Sequence, residues 1–284
     1  MKKFFCLTVI VLSTLQFPGY PQTGLSAKEL YLEMMESLHK LNGSGFVLDL
    51  HERIKGEMMH DRFILKVNEK PFKVYVYSLT PNPGAEALLV EGTNDNKAVI
   101  NANRWYVPTL HLSPYHTILR KNHQFTLWQF GFGYVRKILK GYESRFGDSF
   151  YKFLYREADE EWNGKNYYKL VIDYPDFTFT DYQIQAGENL PAIADKLLLN
   201  DYMILEANKD VRNFDDVKPG QVIKIPNVFG KKIIFLIDKN TFVPVVQQVY
   251  DDKGLFTKIE ISSLVINPDF PTNTFSKDNE DYGF

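Results

Sequence analysis

The feature that most constrains this chain is an alternation of apolar and polar residues with a period of two, which returns in segment after segment. "FVLDLHERI" sets Phe46, Leu48 and Leu50 on one face, and "RFILKV" does the same with Phe63, Leu65 and Val67. "FKVYVYS" opposes Phe72, Val74 and Val76 to Lys73, Tyr75 and Tyr77. A strand turns successive side chains to opposite faces, so the pattern demands a sheet with one buried face. The link "NEKP" makes the last two runs a hairpin. "EALLVEG" and "KAVINANRWYVP" extend the meander, and "FYKFLYREADEEWNGKNYYKLVIDYP" adds a hairpin turned at Asn163-Gly164, with Tyr168, Leu170, Ile172 and Tyr174 facing one way. "KKIIFLIDKNTFVPVVQQVYDDKGLFTKIEISSLVIN" supplies three more strands. Roughly nine or ten strands, mostly neighbours in sequence, predict an antiparallel sheet of the α+β class with helices on one face.

Two segments follow the helical period instead. In "SAKELYLEMMESLHKLNG", Ser26 is placed as N-cap with Glu29 three residues on, Leu30, Met34, Leu38 and Leu41 share a face, and Gly43 is the stop. In "FTLWQFGFGYVRKILK", Leu127, Phe130, Tyr134 and Ile138 lie at helical spacings, with a break or loop entry expected at Gly131 and Gly133. The last nine residues, 276–284, are polar and are expected to fray.

Of the 284 residues 44% are hydrophobic and 15% aromatic, enough for a sizeable core. A formal charge of -2 excludes a global basic field, and no nucleic-acid partner is expected. "MKKFFCLTVIVLSTLQF" puts two lysines ahead of an apolar run too short to span a bilayer, the layout of a secretory signal over 1–22. Its removal takes Lys2 and Lys3, moving the charge from -2 to -4, and takes Cys6, the single cysteine. The mature chain then has neither disulfide nor thiol nucleophile, and a periplasmic or cell-envelope location is expected.

Residues 181–227 do not belong to the sheet pattern. Asp181 to Ile184 reads as a short strand, Gly187 as a turn and Asn189 as an N-cap, with Leu190, Ile193, Ala194 and Leu197 as the apolar face of a short helix. Pro191 falls in its first turn, where a missing N–H costs little. Asn200 can cap a second helix through Tyr202, Ile204 and Leu205, ending at Asn208. "KPGQVIKIP" closes the unit with a turn and a strand, making a small βααβ insert.

The run Tyr182, Gly187, Leu190, Ile193, Ala194, Asn208, Pro219, Gly220, Gln221, Ile225 and Pro226 resembles the LysM domain pattern, "Y-x-V-x-x-G-D-T-L-x-x-I-A" to "N" and then "P-G-Q-x-L-x-I-P". The resemblance covers only the insert. It implies binding of N-acetylglucosamine-containing glycan such as peptidoglycan in a shallow groove, with Gly187, Glu188, Asn189 and Leu190 on one side and Val217, Lys218, Pro219 and Gly220 on the other. The family's "G-D-T" is "GEN" here, which bears on affinity rather than fold.

The surrounding sequence, 23–180 plus 230–275, resembles LolA/LolB-like lipoprotein carriers in its leading signal and helix, in "LLVEGTNDNKAVIN" followed by "LHLSP", and in the ending from "IDKNTFVPVVQQVY" to "NPDFPTNTF". That resemblance implies a curved half-barrel sheet wrapped around helices, with an apolar cavity for acyl chains. The residues themselves leave open whether the sheet and the Leu127 to Ile138 helix enclose a packed core or a lipid-sized cavity.

No enzyme signature emerges. The histidines His39, His51, His60, His111, His116 and His123 make no H-E-x-x-H, no cysteine completes a zinc set, and there is no G-x-S-x-G. "FGFGYV" does not open a helix after a strand as a phosphate-binding loop would, and "EADEEWNG" reads as a solvated turn. The expectation is therefore a non-catalytic envelope protein without cofactor or metal. Its insert would bind glycan, and its host domain a lipid or lipoprotein. The alternatives are a peptidoglycan hydrolase or a purely structural interaction protein.

Overall fold

A computed structural model describes residues 24–284, so the secretory signal expected over 1–22 lies outside the described residues. The first helix, α1 (Ala27–Lys40), opens as its sequence requires. Ser26 Oγ accepts the Glu29 N–H at 3.2 Å and the Glu29 carboxylate accepts the Ser26 N–H at 2.8 Å, a reciprocal capping box. It buries Leu30, Tyr31, Met34 and Leu38 and ends at Lys40, while Gly43 opens the first strand rather than stopping the helix.

Eleven strands form one antiparallel sheet. The first six run in sequence: β1 (Gly43–Ile54), β2 (Glu57–Glu69), β3 (Phe72–Thr80), β4 (Glu86–Val90), β5 (Ala98–Asn101) and β6 (Leu110–Leu112). After α2 (Thr117–Arg120) and α3 (Phe132–Phe146) come β7 (Leu154–Trp162) and β8 (Lys165–Asp173), turned at Asn163-Gly164, both at positive φ. The last strands are β11 (Lys232–Ile237), β12 (Pro244–Asp251) and β13 (Gly254–Ile266). The order across the sheet is β6-β5-β4-β3-β2-β1-β13-β12-β11-β8-β7, so the first and last strands meet in its centre. The apolar positions of the alternating runs, among them Leu48, Leu65, Val67 and Val74, pack with α1 and α3 into one core. No helix among the described residues is long and apolar enough to cross a membrane.

The helix expected from Leu127 starts later. Leu127–Gln129 is a single 3-10 turn, and Gly131, at φ 88°, leads into Phe132. The loop entry expected at the two glycines is there, and Glu69 of β2 explains it. Its carboxylate accepts the N–H groups of Phe132 (2.9 Å) and Gly133 (3.1 Å), capping α3 from across the core. A side chain at 133 would place Cβ 2.3 Å from Glu69 Oε2, so glycine lets the carboxylate reach the helix end.

Between β8 and β11, which are neighbours in the sheet, the chain leaves and returns through a closed neck: Tyr174 N–H donates to Lys231 O at 2.8 Å. The excursion is β9 (Phe179–Gln183), α4 (Leu190–Leu197), α5 (Asp201–Ala207) and β10 (Val222–Pro226), with β9 and β10 paired antiparallel. Its core includes Leu190, Ile193, Met203, Ile204 and Ile223, joined by Ile54 and Phe256 from the ends of β1 and β13.

The tail is not frayed as its polarity suggested. Tyr282 stacks on Tyr75 with ring centroids 3.9 Å apart, Gly283 N–H donates to Glu86 Oε2 at 2.7 Å, and Phe275 and Phe284 pack on Leu88 and Val99. These outward residues of β3, β4 and β5 form an apolar stripe, and four aromatic or glycine positions near the C-terminus cover it.

Candidate functional site

The face of the sheet that packs against α1 and α3 is mostly filled. Beneath α3 an apolar void of about 70 Å³ remains, lined by Phe46, Leu48 and Leu50 of β1, by Phe132, Val135, Ile138 and Leu139 of α3, and by Phe235 and Ile261. Its polar side chains are Gln129, Gln247, Thr257 and the Tyr134 phenol. A void of roughly 150 Å³ in this measure takes up benzene. The present one admits a few methylene groups, and an acyl chain would require α3 to move. Beneath α3 the interior is thus packed around a small apolar void, while a wider cleft of about 180 Å³ opens beside it, lined by Phe63, Val76, Ile100, Phe125, Leu127 and Phe130.

At the end of this face a polar cluster is buried where the apolar pattern would place hydrophobic residues. Glu52 and Asp61 continue the inward series Leu48, Leu50 on β1 and Val67, Leu65, Phe63 on β2, and both are buried. His123 Nδ1 lies 3.0 Å from Glu52 Oε2 and 3.5 Å from Asp61 Oδ2. Gln124 N–H donates to Glu52 Oε1 at 2.7 Å, and the Gln124 amide spans Arg53 O, Phe256 O and the Thr257 hydroxyl. Burial, aided by the Glu52 charge, pushes Asp61 above the usual carboxylate range. Burial alone would lower His123. The Glu52 hydrogen bond and the Glu52 and Asp61 charges outweigh it and hold the imidazole above its ordinary value.

Two buried arginines tie this region to the insert. Arg120 makes a bidentate pair with Asp201 of α5 at 2.8 and 3.0 Å, and Arg53 bridges Asp251 and Glu206. The Arg120 guanidinium also lies 3.9 Å from the Phe214 ring centroid. On the other side, Tyr142 OH and Arg145 of α3 donate to Leu198 O and Leu197 O.

The residues of the expected glycan groove come together on two adjoining loops. Gly220 N–H donates to Ile184 O at 2.9 Å, and Leu190 N–H to Phe214 O at 3.0 Å. Gly187, Lys218, Pro219 and Gly220 are exposed, and Glu188, Asn189 and Val217 are partly so. Leu190 is a correction: its side chain is fully buried in the insert core, because it is the first apolar position of α4, and only its backbone belongs to the loop. The "GEN" substitutions have internal partners. Glu188 accepts from Tyr182 OH and Gln185 N–H, each at 2.9 Å, and pairs with Lys196. Asn189 accepts the Ala192 N–H at 2.9 Å as N-cap and donates to Asp215 at 2.8 Å. What the loops leave toward solvent is mainly backbone, Lys218 and the Pro219 ring.

Glu52, Asp61 and His123 come from three separate parts of the chain, so spacing along the sequence did not bring them together. The signal available was positional: two acids occupy the apolar parity of "FVLDLHERI" and "HDRFILKV". Nothing in the sequence around His123 marks it as their partner.

A family model described as a protein of unknown function, DUF1571, matches residues 43–183, just under half of the chain. No curated protein matches. Among solved structures the chain is similar to LprF from Mycobacterium bovis (12% identity, 86% of this chain and 94% of that one, TM-score 0.43). It is also similar to a LolA superfamily protein from Nitrosomonas europaea (12% identity, 90% and 99%, TM-score 0.33) and to a putative outer membrane lipoprotein-sorting protein domain from Vibrio parahaemolyticus (12% identity, 89% and 96%, TM-score 0.33). At these TM-scores no ligand or role carries across.

Proposed function

We propose that this is a non-catalytic cell-envelope protein that holds a hydrophobic ligand, an acyl chain of a lipid or lipoprotein, between α3 and the sheet. The observation that carries the reading is the apolar void between α3 and the sheet, walled on one side by a helix whose start is a glycine joint capped by the carboxylate of Glu69. Each methylene moved from water into such a site gains about 0.8 kcal/mol, to be set against the Glu69 cap and the burial of Phe132, Ile138 and Leu139 that a shift of α3 disturbs. The resemblance of the host sequence to lipoprotein carriers points the same way. Titration of delipidated protein with a fluorescent fatty acid tests it. Saturable binding at one equivalent, displaced by unlabelled fatty acid, is the expected result, and its absence refutes the reading.

A second reading concerns the insert, whose LysM-like sequence is accompanied by two adjoining loops with Gly187 and Lys218 to Gly220 exposed. Glycan binding there would rest on backbone groups and the Pro219 ring, would be weak for one module, and would depend on a repeating polymer. Retention on purified peptidoglycan should fall when Lys218→Glu and Pro219→Glu are combined. Equal retention counts against the glycan site.

A further inference from the structure

The cluster of Glu52, Asp61 and His123 plays no part in either reading above. We propose that these three side chains form a binding site for one divalent transition-metal cation of the zinc class, with water completing its shell. Two carboxylates and an imidazole are ligands such ions accept. The three ligand atoms come from β1, β2 and the loop before α3, and all lie within 4.8 Å of one another. Bonds of about 2.0–2.1 Å in tetrahedral geometry set ligand atoms roughly 3.3–3.5 Å apart. The imidazole nitrogen, at 3.0 and 3.5 Å from the two carboxylates, is already near that spacing.

Support and access are both present. The Gln124 N–H fixes Glu52 Oε1 and leaves Oε2 to face His123, and Gln124 is itself anchored by Arg53 O and Phe256 O, the kind of outer hydrogen bonding that orients metal ligands. The carboxylate side chains are 1% and 6% exposed, whereas His123 is 31% exposed and borders a cleft of about 180 Å³. The neighbouring arginines are committed elsewhere, Arg120 to Asp201 and Arg53 to Asp251 and Glu206, so a cation bound beside His123 meets two carboxylates that no arginine occupies. Bound metal would pin the loop 121–126 to β1 and β2, and with it Arg120, which holds the insert.

The test is titration of chelator-treated, dialysed protein with zinc chloride by calorimetry and with cobalt chloride by visible absorption. One equivalent of each binds, and cobalt shows the intense bands of a tetrahedral site. Asp61→Asn and His123→Gln each weaken binding at least about tenfold with the far-UV circular dichroism unchanged. His60→Ala, on the opposite face of the sheet, leaves it as in wild type. Absence of stoichiometric binding, binding that survives both ligand variants, or binding abolished by His60→Ala overturns the proposal.

Discussion

Glu69 shows how one side chain can hold and weaken the same junction. Its carboxylate caps α3, yet burial outweighs the Phe132 and Gly133 hydrogen bonds and raises its pKa above the ordinary value of 4.5. A carboxyl whose folded pKa is raised binds more protons folded than unfolded between the two pKa values, so this group's contribution to stability falls as pH climbs from about 4.5 through the raised value. Glu69→Gln keeps an acceptor and removes the charge. Its stability relative to wild type should therefore improve as pH rises through that window, measured by urea unfolding at a series of pH values, and a flat difference would contradict the assignment. Glu69→Ala removes the cap itself and should cost about 1 kcal/mol or more at any pH. Asp201→Ala belongs to another class. It strands the Arg120 guanidinium, which is 1% exposed, and should cost about 3–5 kcal/mol, while Arg120→Met with Asp201→Leu should recover most of that loss.

At the level of elements, the insert and the tail were legible to different degrees. The strand, the two capped helices and the closing strand of the insert appear within a few residues of where caps and periodicity place them, because Asn189, Pro191 and Asn200 act locally. Where the insert docks was not legible. Arg120 and Arg53 lie far from it in sequence, and no periodic pattern announces a buried arginine. The tail reads as polar because its aromatic residues are scattered, and only the outward apolar stripe of Tyr75, Leu88 and Val99 gives them a place. Tyr282→Ala should therefore lower stability by about 1–3 kcal/mol, read by denaturant unfolding, whereas a frayed tail would leave it unchanged.

For the whole molecule, the alternation of "FVLDLHERI" and its successors was sufficient for an antiparallel sheet with one buried face, since period two admits little else. It could not reveal that β1 and β13 meet in the centre, because strand order between distant segments leaves no mark in local pattern. Nor could it tell a filled interior from a hollow one. Phe46 and Ile138 line the void and read as core residues in either case. The central claim, that α3 yields to an apolar ligand at this void, is tested most directly by Val135→Phe, which fills the space with a ring. Titration with a fluorescent fatty acid should show saturable binding to wild type and a loss of at least about tenfold in Val135→Phe while its melting temperature holds or rises. Undiminished binding by a well-folded Val135→Phe would contradict the account.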